Sequence, residues 1–197
     1  GYFVRPPILF IGSGISKRYL LDYKSWKEML YSIAERIGID KRRFASFIQS
    51  AEGDASEYGT LPKTATNLKQ YLIENLMSGS IRAEDVYTPD ELKMYDEEID
   101  AFKILVASQF ASYTIRDTLS VTTEMRLLRN LINIVPSIIT TNFDRFLENE
   151  IFKEFKTYTS ISDYYLSGSQ GIGEIYKIHG SVESPDSLII CEKDYID

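Results

Sequence analysis

A chain of 197 residues is long enough for one domain with a proper core, or for one domain carrying a helical insert. Its 44% hydrophobic and 26% charged residues describe an ordinary globular protein, and a net charge of −7 argues against a nucleic-acid footprint, which needs a basic stripe. The single cysteine, Cys191, excludes an intramolecular disulfide and a cysteine zinc cluster within the chain. With no signal-peptide pattern and no apolar run of about 18 residues, the expected compartment is the cytoplasm and no membrane contact is expected.

The first predicted element is a strand over Ile8–Ile11, whose unbroken apolar run reads as buried on both faces. Gly12-Ser13-Gly14 then turns the chain, and Ser16 is placed to cap the next segment. Ser25-x-x-Glu28 is a capping box, and Trp26, Met29, Leu30, Ile33 and Ile37 come after it at helical spacing. A short helix is expected from Asp40 to about Ser50, a loop over 51–63, and a helix from Thr64 to Met77. Thr88-Pro89-Asp90-Glu91 restarts the helical pattern, which runs towards Asp117 with a break near Asp100. The stretch from about 40 to 120 therefore reads as a helical subdomain inserted into a domain spanning 1–197. Beyond it come a helix over Glu124–Ile134, a strand at Ser137–Thr141, and a helix over Phe143–Phe152. A third strand is expected at Thr157–Ile161, and a loop at Ser167–Gly173 leads to a fourth over Glu174–Ile178, ending at His179-Gly180. Leu188–Ile190 reads as a last short strand. Short apolar strands alternating with helices predict an α/β fold built on a Rossmann-like parallel sheet.

In an open parallel sheet, ligands collect at the carboxyl ends of the strands. Three predicted strands end in groups suited to a site: Gly12-Ser13-Gly14, Thr141-Asn142-x-Asp144 and His179-Gly180. A strand followed by a glycine turn lets backbone N–H groups approach a pyrophosphate. The dinucleotide fingerprint is nevertheless incomplete, since Lys17 stands where its third glycine would be, and no Gly-Lys-Ser/Thr completes a nucleoside-triphosphate loop. Asn142 alone would serve as a helix cap, and a lone histidine as a structural residue. Their coincidence at three strand ends is what points to a site.

The segments IGSGIS, TTNFD and KIHG, in that order, resemble the three signature motifs of the sirtuin fold. The finer resemblance is to the sirtuin-like domains of bacterial anti-phage systems. It rests on GSGIS followed by Lys17-Arg18-Tyr19-Leu20, Ser25-Trp26 opening a helix, TTNFDRFLE, and HGSVESPDSLII followed by Asp194-Tyr195. The resemblance implies hydrolysis of NAD, as substrate, to nicotinamide and ADP-ribose, and NAD depletion as the defence. It also implies roles at matching positions. Gly12, Ser13, Gly14 and Ile15 would hold the pyrophosphate and adenosine side, and Ser16 and Thr141 would belong to the same cofactor-binding set. Asn142 would hold the nicotinamide ribose and the attacking water, Asp144 the carboxamide, and His179 a ribose hydroxyl as general base. Nicotinamide leaves from an already cationic ring, so a positioned water and base suffice and no metal is called for.

Two departures qualify what is implied. Sirtuin deacylases carry a four-cysteine zinc ribbon after the His-Gly strand, which one cysteine cannot form. The family also has further strands closing around the ribose and adenine, so the fold is expected to be incomplete at the C-terminus. The leading expectation is an NAD hydrolase, working as a homo-oligomer or with a partner defence protein. The alternatives are an NAD-dependent lysine deacylase and a non-catalytic module that senses NAD or ADP-ribose.

Overall fold

Four short apolar segments form one parallel sheet in the computed structural model, which describes residues 6–54, 56–159 and 173–196. Leu9–Ile11 (β1), Ser137–Thr140 (β2), Lys156–Tyr158 (β3) and Glu174–Lys177 (β4) pair in the order β1-β2-β4-β3. The register sets Ile11 beside Thr140 and Thr140 beside Lys177, so β1, β2 and β4 end level with one another. The sheet belongs to a unit made of Gly1–Tyr23 and Phe110–Ser187. A second unit, Lys24–Gln109 with Leu188–Asp197, is helical.

In the sheet unit, Ile138 and Ile175 are fully buried and pack with Tyr19, Leu20, Phe146, Leu147, Ile151 and Phe152. Helices Gly14–Tyr19 (α1) and Leu119–Arg129 (α8) flank this core, α8 contributing Val121 and Met125. The reading of the first strand as buried on both faces is corrected. β1 lies at the end of the sheet order, and Phe10 is 68% exposed and Ile8 62%. An apolar run reports that a strand is buried somewhere; it does not report whether both of its faces have neighbours.

The helical unit contains Trp26–Arg36 (α2), Lys41–Gly53 (α3), Thr60–Met77 (α4), Ala83–Val86 (α5), Pro89–Asp96 (α6) and Ala101–Ser108 (α7). The capping boxes read from Ser25 and Thr88 are both formed, each satisfying backbone donors that a helix start leaves open. Arg36 joins α2 to α5 through Val86 O (2.7 Å) and to α6 through both carboxylate oxygens of Glu91. Two further expectations are corrected. The helical pattern ends at Ser108 rather than near Asp117, because Tyr19 O accepts from the Arg116 N–H and Leu20 bridges to Ile115, which holds that stretch extended. Leu188–Ile190 is not a strand. Leu188 and Ile190 are fully buried in the helical unit, and Asp194 accepts from the N–H groups of Ile190 and Cys191. An apolar triplet serves a helical core as well as it serves a sheet. The loop predicted at Ser167–Gly173 lies outside the described residues except for Gly173, as does the predicted third strand beyond Thr159.

Candidate functional site

The ladder continues one step past the strand ends. Thr141 N–H donates to Ile11 O (3.4 Å) and Ile178 N–H to Thr140 O (3.0 Å). Gly12, Asn142 and His179 therefore come directly after three neighbouring strands at one edge of the sheet. With neighbouring strands about 4.8 Å apart, the outer two of these positions are separated by about 10 Å. All three sequence-predicted groups are brought to this edge.

The glycine turn is short. Gly12 O accepts from the Ile15 N–H (3.2 Å), and Ser13 precedes α1 without using its hydroxyl as a cap. Among the described residues, a Cβ on Gly14 would meet nothing within 4 Å, and one on Gly12 only Thr141 Oγ1 at 3.9 Å. Packing among the described residues therefore does not demand glycine at either position. The space is one a ligand's phosphates could use, with Thr141 at its border. Ile15 packs partly against the sheet core. Ser16 is fully buried, below the turn.

Ser16 is the link between the turn and the segment after β2. Its hydroxyl donates to Asp144 Oδ2 (2.9 Å) and accepts from Asn142 Nδ2 (3.1 Å). Asn142 Nδ2 also donates to Gly12 O (3.3 Å). A carbonyl oxygen can only accept, so the amide nitrogen must be the atom facing it, which fixes the orientation of the amide. Asn142 Oδ1 is then buried and has no hydrogen-bond partner among the described residues. A buried acceptor left in this way costs about 1–3 kcal/mol, and such atoms in native proteins call for a reason. A ligand hydroxyl or a reacting water would supply one.

Asp144 is 2% exposed and both of its carboxylate oxygens accept hydrogen bonds. Oδ2 accepts from Ser16 and from the Tyr23 hydroxyl (2.8 Å), and Oδ1 from the Phe146 N–H (2.9 Å). Burial, with the Asp144 charge beside it, pushes the Tyr23 hydroxyl far above the usual tyrosine range, so Tyr23 remains a donor. The segment is anchored by its aromatic residues. Phe146 stacks on Tyr19 at 5.6 Å, and Phe143 meets Phe110, which in turn meets Tyr23.

His179 is half-buried, and burial lowers its pKa below the ordinary value, leaving the imidazole neutral at pH 7. Gly180 comes next with φ +82°, and a Cβ there would stand 2.2 Å from Ser187 O. Here glycine is required by the protein itself, to bring the chain after His179 past the 185–187 turn. Two residues were not singled out from the sequence. Tyr23 sits in a loop whose composition carries no signal. Lys177 does carry one, since it alternates with Ile175 and so falls on an inward-facing position of β4; its side chain is fully buried against Glu148.

The family model of the SIR2-like domain matches residues 136–197, which include β2, Asn142, Asp144, β4 and His179 but not the glycine turn. No curated protein matches the chain. The match supports a sirtuin-like domain, a family of NAD-dependent enzymes, and an NAD-related activity in general. Among the described residues no helix is long and apolar enough to cross a membrane, and no cluster of potential metal ligands is found.

Proposed function

We propose that this protein hydrolyses NAD+ at the nicotinamide–ribose bond, giving nicotinamide, ADP-ribose and a proton, and that it serves anti-phage defence by depleting NAD. The observation that carries the reading is Asn142. It is buried after β2, its amide nitrogen is tied to Gly12 and Ser16, and its amide oxygen is unpaired among the described residues. An acceptor already held in place costs no reorganisation when a ribose hydroxyl or the attacking water arrives. His179, neutral and placed just after the adjacent strand, is the group suited to take a proton. Gly12, Ser13, Gly14, Ile15 and Thr141 would receive the phosphates and adenosine side, with Ser16 in the same set, and Asp144 would stand on the carboxamide side. The NAD+ brings its own cationic leaving group, so the residues need only orient the ribose, place a water and accept a proton.

The test is product analysis. The protein is incubated with NAD+, with and without an acetyl-lysine peptide, and the products are separated by chromatography. Nicotinamide and ADP-ribose in equal amounts, unchanged by the peptide, are expected. Formation of O-acetyl-ADP-ribose would instead assign a deacylase, and binding of NAD+ without cleavage would assign a sensor module.

A further inference from the structure

Lys177 is the last residue of β4, and its side chain is 0% exposed. Its ammonium donates to Glu148 Oε1 (2.7 Å) and to the backbone carbonyl of Asp144. Glu148 lies in the π-helical turn Leu147–Ile151, and its second carboxylate oxygen is buried without a partner among the described residues. This is an expensive way to fill an inward position. Ile175, on the same face of the strand, is buried without any charge to desolvate.

What a lysine does and an isoleucine cannot is grip a carbonyl. The carbonyl it grips belongs to Asp144, two residues after Asn142, and Lys177 itself stands two residues before His179. Asp144 is joined to Asn142 through Ser16, so the ammonium reaches the Asn142 amide by an unbroken series of hydrogen bonds and one residue's backbone. We propose that Lys177, with Glu148, is a positioning residue that locks the Asn142–Asp144 turn to the strand that leads into His179. Backbone bonds from Ile178 to Thr140 and from Val182 to Phe143 flank this tie, and neither reaches Asp144.

The functional consequence rests on the NAD-cleavage reading, and the experiment separates the two. Lys177→Met alone would strand the Glu148 charge, so the informative variant is Lys177→Met with Glu148→Leu, which removes both charges at similar volume and is expected to keep the fold. Wild type and variant, as full chains, are compared by thermal unfolding, by nicotinamide release, and by the 15N signals of the Asn142 side-chain amide, assigned by their loss in Asn142→Ala. The double variant is expected to show shifted Asn142 amide signals and a kcat lowered by about 10–100-fold, with KM for NAD+ changed far less. Glu148→Gln, a milder change that keeps an acceptor, is expected to move both readouts in the same direction by less, and it serves alone if the double variant does not fold. Wild-type amide signals, or wild-type kcat in an active enzyme, would overturn the proposal. A wild type that releases no nicotinamide refutes the cleavage reading instead, and the amide signals then decide the positioning role.

Discussion

Asn142→Ala tests the site most directly, because its effects on stability and on turnover are expected to part company. Asn142 is 3% exposed and makes two side-chain hydrogen bonds, at 3.3 Å to Gly12 O and 3.1 Å to Ser16 Oγ. Losing them costs about 1–3 kcal/mol together. The same substitution removes the unpaired Oδ1, whose burial costs about 1–3 kcal/mol in the native protein. The two nearly cancel, so the net change should stay within about 2 kcal/mol, or about 8 °C in Tm for a chain of this size. The position is thus expected to tolerate alanine through this cancellation, and not because it is peripheral to the fold. Turnover should behave differently, falling by at least about 10²-fold if the oxygen is an acceptor held ready for the reacting groups. The assay is nicotinamide release, by chromatography, from protein shown to be folded by circular dichroism at the assay temperature. Wild-type turnover in a folded variant would refute the reasoning. So would a stability loss well above about 4 kcal/mol, which would make Asn142 a structural keystone with no spare acceptor.

His179→Ala should slow cleavage by about 10²–10⁴-fold while leaving NAD+ binding largely intact, measured as kcat and as a binding isotherm. Because burial lowers the His179 pKa, kcat/KM should hold level through neutral pH and fall only as pH drops below 6.5 towards the lowered value; a fall beginning above pH 7 would exclude His179 as the base. Gly14→Ala should leave the fold as stable as wild type or stabilise it by about 0.4–1 kcal/mol, since its Cβ meets nothing within 4 Å among the described residues, and yet weaken NAD+ binding; unchanged affinity would place the phosphates elsewhere. Burial pushes the Asp194 carboxyl up, but the N–H groups of Ile190 and Cys191 and the Lys103 ammonium at 2.9 Å outweigh it and hold the group below the ordinary aspartate value. A depressed folded-state pKa stabilises above the unfolded value of 3.8 and is lost as pH falls below it, so chemical denaturation should show Asp194→Asn removing part of the wild type's acid-dependent loss of stability. An identical pH dependence in both would show that the pair contributes nothing to acid stability.

The helix starts at Ser25 and Thr88 were legible in the sequence because a cap is a local event, whereas the helices expected from Thr64 and Glu124 begin earlier, at Thr60 and Leu119. Ser25 with Glu28, and Thr88 with Glu91, satisfy backbone donors within one turn, so a stretch of four residues carries the whole instruction. The strands at β1, β2 and β4, and the polar groups that end them, were legible for a similar reason: a strand end and the residue after it are neighbours in the chain. How those ends combine depends on separations that no local pattern records. Ser16 meets Asp144 across 128 residues, Tyr23 meets it across 121, and Lys177 finds Glu148 across 29. Each is a side chain whose partner is set by strand order and register. The same dependence governs burial. Phe10 and Ile175 are equally apolar in sequence, yet one lies exposed on the end strand and the other is enclosed, because burial depends on which neighbours the sheet order supplies. Leu188 and Ile190 satisfied the local rule for a strand and went to a helical core, since hydrophobic burial has no direction and hydrogen-bond pairing does.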